Sequence, residues 1–249
     1  MRIPRSIKAI SALALISALA ASLALAGNPN PSGAVPRMCP PGSKAYGKTL
    51  TEWLGVYLRW GYGTAQDMAQ SVVDGVQLMP LPAGDEQVQQ TGGSWTPDDP
   101  AVLVGQLEIT LPPGTPFVLP EFTWIGERYE GWPTVPDDPP MDNAVALASG
   151  HPTLTIDGRT VMTDANKAAF YVPLTYFDPI VYAPAPSSYG SVAGVYYQGV
   201  AFVSPPLTPG THVIHLYEPL IFEAGAYAGL PAGLGIVYDN TWIVTVAPK

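Results

Sequence analysis

Proline and glycine interrupt this chain so often that it cannot be built from long helices. Of its 249 residues 29 are Pro and 25 are Gly, and they separate short stretches of alternating side chains. Proline lacks the amide that a helix interior or central strand needs, and glycine suits a turning backbone. Leu103, Gly105, Leu107, Ile109 and Leu111 alternate with Val104, Gln106, Glu108 and Thr110, the two-residue period of a half-buried strand. Pro112-Pro113-Gly114 then turns the chain, and Phe117 opens another extended piece. Asp157-Gly158 carries the type I′ turn chemistry of a hairpin joining 154–156 to 160–162. Further extended runs are expected over 168–174, 192–203, 212–217, 235–238 and 242–247, each bounded by Pro, Gly or Asp-Asn.

One helix is legible ahead of these strands. Thr49-Leu50-Thr51-Glu52 is a capping box, with Thr49 as cap and Glu52 reaching back to it. Leu50, Trp53, Leu54, Tyr57 and Leu58 follow at helical spacing, and Gly61 and Gly63 end the run. Such a stripe covers a sheet more often than it serves as a ligand platform. The expectation is a mainly β protein, an antiparallel β-sandwich of jelly-roll or Ig-like type with this amphipathic helix packed on it. A parallel α/β sheet is disfavoured because helices and strands do not alternate.

The N-terminus reads as an export signal. Arg2, Arg5 and Lys8 precede an apolar run over 9–26, and Ala24-Leu25-Ala26 suits cleavage before Gly27. The competing reading, a membrane anchor, needs roughly 20 apolar residues and a matched flank. Residues 1–26 are therefore assigned to a signal peptide, 27–45 to a Pro- and Gly-rich tether and 46–249 to one sandwich domain, secreted or periplasmic. No membrane association is expected after cleavage. The whole chain carries a net charge of −9, and losing the leader's three basic residues makes the remainder more acidic. That sign disfavours nucleic acid and anionic membrane surfaces. With 47% hydrophobic and 12% charged residues, the chain can bury a sizeable core. Cys39 stands alone, which rules out an intramolecular disulfide.

The richest chemistry lies in 120–142, where Glu121, Glu127, Glu130, Asp137, Asp138 and Asp142 are interleaved with Phe122, Trp124, Tyr129 and Trp132. Flat rings stack on the apolar face of a sugar and carboxylates accept from its hydroxyls. Glu121, Trp124, Glu127, Tyr129, Trp132, Asp137 and Asp138 are thus the candidate ligand residues, against the plainer reading of a Pro-rich surface loop. Two opposed carboxylates could act as acid and base on a glycosidic bond, with Glu121, Glu127 and Asp138 the candidates. Asp137, Asp138 and Asp142 form a weaker calcium candidate, lacking the Gly and bidentate Glu of an EF-hand. His212 and His215 are an odd number of residues apart in a strand, so they face opposite ways and do not share a metal. No serine elbow, dinucleotide fingerprint or phosphate loop is present. No cofactor is therefore expected.

Two short motifs carry a resemblance. Tyr46-Gly47-Lys48-Thr49 with Glu52-Trp53 and Trp60, and Leu207-Thr208-Pro209-Gly210-Thr211-His212 with Ile214, resemble a loosely defined group of uncharacterised exported bacterial proteins. The resemblance implies a secreted sandwich with an N-terminal helix and brings no activity with it. The single cysteine departs from the group's pattern. The sequence thus points to an exported, non-catalytic binding or structural protein with carbohydrate as its ligand class; the alternative is an extracellular polysaccharide-acting enzyme using a carboxylate pair.

Overall fold

The computed structural model describes residues 38–40, 42–83, 87–183, 187 and 190–248. The expected signal peptide and the first part of the expected tether lie outside these residues. Helix α1, Leu50–Tyr62, begins at the anticipated capping box: Thr49 Oγ1 accepts from the Glu52 amide at 3.2 Å and Glu52 Oε2 from the Thr49 amide at 2.7 Å. Leu50, Trp53, Leu54, Tyr57 and Leu58 are all buried, so the stripe is core-facing. A short turn of helix, α2 (Ala65–Met68), follows.

Among the described residues, eleven strands then form two sheets. The first contains β1 (Val72–Val73), β2 (Val76–Leu78), β5 (Phe117–Tyr129), β8 (Tyr171–Val181) and β9 (Ser191–Ser204), in the order β1-β2-β5-β9-β8. The second holds β3 (Val88–Gly92), β4 (Ala101–Leu111), β6 (Thr153–Ile156), β7 (Arg159–Met162), β10 (Gly210–Phe222) and β11 (Leu234–Val246), in the order β3-β4-β11-β10-β6-β7. The sheets pack on each other as a sandwich. β4 runs parallel to β11 along its whole length, and β2 parallel to β5, so both sheets are mixed rather than purely antiparallel. Alternation of side chains is indifferent to strand direction, which is why the sequence did not reveal this.

The β6–β7 hairpin turns at Asp157 and Gly158, both at positive φ as a type I′ turn requires. β11 continues through Asp239-Asn240, where a break was expected. Asp239 Oδ1 lies 2.7 Å from His215 Nε2, diagonally across on the neighbouring strand, so a turn-forming residue is tied by its side chain to β10.

β9 is buried along nearly all of its length because both of its faces are covered. α1 lies over one: Tyr197 OH donates to Thr51 O at 2.8 Å, and Gly55 leaves room for that ring. The six-stranded sheet covers the other, where Trp53 on the helix side is matched by Trp242, Phe117, Phe202 and Phe222 among the fully buried side chains. Burying each such side chain contributes on the order of 3 kcal/mol. Residues expected as tether are docked by their end: the Cys39 amide donates to Val203 O at 2.8 Å, and Trp53 Nε1 donates to Ala45 O at 2.7 Å.

Candidate functional site

β5 carries the first half of the acidic and aromatic stretch, and its irregular pairing decides where those side chains go. Three register shifts interrupt its ladder with β9, the first between Pro120 and Phe122, which leaves Glu121 unpaired. An extra residue in one strand re-aims the side chains around it. Glu121 is consequently buried, at 6% exposure, and Trp124 lies between the sheets with its ring 5.6 Å from Phe222 and 5.2 Å from Tyr227. Glu127 is buried as well.

The second half is a loop bolted to β5 by its own acids. Asp138 Oδ2 accepts from the Glu127 amide at 3.0 Å, the Asp138 amide donates to Glu127 O at 2.9 Å, and Tyr129 OH donates to Asp138 Oδ1 at 3.0 Å. Burial and the neighbouring Asp138 and Glu127 carboxylates hold the Tyr129 hydroxyl far above its ordinary range. Arg128 forks onto Asp137, with Nε and Nη2 donating at 2.9 and 2.8 Å. Further along, Pro139 O accepts from Tyr196 OH at 2.6 Å and from Tyr227 OH at 2.7 Å. The loop ends where Asp142 caps helix α3 (Asn143–Ser149), its Oδ1 accepting from the Ala144 amide at 2.7 Å. This helix was not expected, although Asp followed by an alanine-rich segment is a start signal.

The candidate ligand residues are therefore divided rather than gathered. Glu121 and Trp124 enter the inter-sheet core; Glu127, Tyr129, Asp137 and Asp138 fasten the loop; Trp132 is left outside, 54% exposed, with the Arg128 guanidinium 4.5 Å from its ring centroid. Asp137, Asp138 and Asp142, the calcium candidates, each make protein contacts of this kind. No group of three or more His, Cys, Asp or Glu able to hold a metal occurs among the described residues.

Each histidine faces an aspartate: His151 Nδ1 and Asp164 Oδ2 are 2.9 Å apart, His212 Nδ1 and Asp157 Oδ2 2.7 Å, and His215 and Asp239 2.7 Å. His212 is buried while His215 sits on the opposite, half-exposed face. Cys39 is partly buried, which raises its thiol pKa, and it borders a cleft of about 10 Å3 with Phe170 and Val203, room for about one water.

Sequence reasoning missed one acid. Glu218 on β10 is completely buried, and its carboxyl oxygens and those of Glu121 accept no hydrogen bond. Desolvation pushes the Glu121 carboxyl up to about 8; desolvation and the nearby Glu121 push Glu218 up to about 9. The signal was available: His212, Ile214 and Leu216 mark the inward face of β10, and period two puts Glu218 on it. Lys167, in the 3-10 turn Lys167–Phe170, is buried nearby, donating to Gly150 O and paired with Asp164 Oδ1 at 2.8 Å. A lone Lys in a short turn gives no such signal. Comparison of the chain with protein-family models gives no match, and comparison with curated proteins gives none either.

Proposed function

We propose that this is an exported, non-catalytic binding protein that takes a saccharide on the outer face of Trp132. The observation that carries the reading is the state of that ring. It is the most exposed tryptophan side chain among the described residues that the buried core does not claim, and Arg128 supports it from one side. Arg128 is itself held by Asp137, and Asp138 pins the same loop to β5. A flat apolar ring held in place before the ligand arrives loses little freedom on binding, and stacking is how such a ring takes the apolar face of a sugar. Glu130, exposed and two residues before it in the chain, supplies an acceptor for sugar hydroxyls. Of the acids suggested for hydrolysis, Glu121 and Glu127 are buried and Asp138 fastens the loop, which favours binding over chemistry. The excess of acidic residues and the leader-like N-terminus accord with work outside the cytoplasm.

The test is retention on insoluble polysaccharides, scored for the wild type and for Trp132→Ala. Retention lost in the variant at an unchanged melting temperature is the expected result. Equal retention of both, or none by either across cell-wall and plant polysaccharides, would sink the reading.

A further inference from the structure

Glu121 and Glu218 stand on β5 and β10, one in each sheet, where those two strands meet. Exposures of 6% and 0% shut both carboxyls off from water, and none of their four oxygens accepts a hydrogen bond. Gly150 lets Glu218 in: a Cβ at that position would collide with the Phe122 ring and would lie 2.6 Å from Glu218 Oε1. Glu121, on the facing strand, is near enough for its charge to act on Glu218. An ionised carboxylate without partners is poorly tolerated in such a place, and two like charges side by side are worse. Lys167 is the cation that faces them, but its ammonium already serves the Gly150 carbonyl and Asp164.

We propose that Glu121 and Glu218 are neutral carboxylic acids in the folded protein, and that proton loss from this pair loosens the seam between the sheets, making the sandwich a pH-responsive device that is tightest in acid. The groups facing Glu218 act on it in both directions. Glu121 from β5 and Asp164 from the exit of β7 favour the neutral form. The Lys167 ammonium and the His151 amide favour the charged one, although that amide already donates to Pro219 O at 2.9 Å. Tyr238 from β11 and, behind it, Tyr62 from α1 remain neutral themselves, because burial holds both hydroxyls above their ordinary range. Burial dominates, and the two acids titrate as a coupled pair.

An unfolded glutamate titrates near 4.5, whereas the folded pair does so near 8 and 9. Between those limits the folded chain binds more protons than the unfolded one. Stability from the pair is thus complete below about pH 4.5, declines as pH rises, and is gone above about pH 9, with each carboxyl changing the folding equilibrium up to about tenfold per pH unit.

Melting temperatures of the wild type, Glu121→Gln, Glu218→Gln and the double variant, from about pH 4 to about pH 10 with and without EDTA, test this. A wild-type melting temperature that falls through this window is expected. The neutral, similarly shaped glutamines should flatten the fall and match or exceed the wild type near neutrality. A flat wild-type profile, or an equally steep one in the double variant, would overturn the proposal. So would EDTA destabilising the wild type alone, since a metal would then occupy these oxygens. Should the variants not fold, carbon-13 NMR of the wild-type glutamate carboxyls decides: two signals titrating above about pH 7 support the pair, and titration of every signal below about pH 6 refutes it.

Discussion

Arg128 and Asp137 meet as a two-pronged pair, Nε donating to Oδ1 at 2.9 Å and Nη2 to Oδ2 at 2.8 Å. The fork fixes the plane of the guanidinium, and that plane backs the Trp132 ring. Lysine could supply the charge but not the plane. Both side chains are partly exposed, so the pair does little for stability by itself and acts through geometry.

Replacing Asp137 by Asn, or Arg128 by Lys, should therefore weaken saccharide retention several-fold while barely moving the melting temperature. Affinity electrophoresis alongside thermal unfolding checks this. Retention unchanged in both variants, with Trp132→Ala still defective, would show that the ring needs no support.

Tyr196 and Tyr227 donate to the same carbonyl, Pro139 O, with their hydroxyls 3.4 Å apart. Tyr196→Phe and Tyr227→Phe should each cost about 1 kcal/mol, the usual net value of such a bond. The double variant should cost more than the sum, because the remaining hydroxyl keeps Pro139 O satisfied in each single variant and nothing does so in the double. Urea unfolding of the three variants measures the coupling, and strict additivity would show that the two bonds act independently.

Trp124 was a ligand candidate in the sequence and is a core residue in the fold. Trp124→Ala should lower stability by about 3–5 kcal/mol, the range for emptying a buried aromatic site. The measurement is the denaturant midpoint. A loss under about 1 kcal/mol would mean that the ring is not packed against Phe222 and Tyr227 as described.

On α1, Thr49→Ala removes the helix cap and should cost roughly 1 kcal/mol. The amide and hydroxyl of Thr49 hold the Glu52 carboxyl below its ordinary range. The folded pKa is depressed, so this contribution is present above the unfolded pKa and lost as pH falls through the folded one. The stability gap between wild type and variant should narrow in acid; a gap independent of pH would mean that Glu52 takes no part in the cap.

Local physics wrote much of the fold into the chain. The α1 stripe, its cap, the Asp157-Gly158 turn and the opposite facing of His212 and His215 all rest on periods of 3.6 or 2 and on turn chemistry within a few residues, and each is where the sequence puts it. The candidate site was less legible. Glu121, Trp124 and Glu127 look alike in sequence to Trp132 and Asp137, since nothing in their spacing records the register shifts of β5.

What residue order alone determined is which side chains share a face and where the chain turns, because alternation and backbone preference are local. Tertiary structure decided the rest: that β4 pairs in parallel with β11, more than a hundred residues away, that Asp137 goes to Arg128, and that glutamates on two contacting strands of opposite sheets are both buried. Those outcomes depend on which faces meet and on an unpaired residue in one strand, and neither leaves a periodic trace in a single chain.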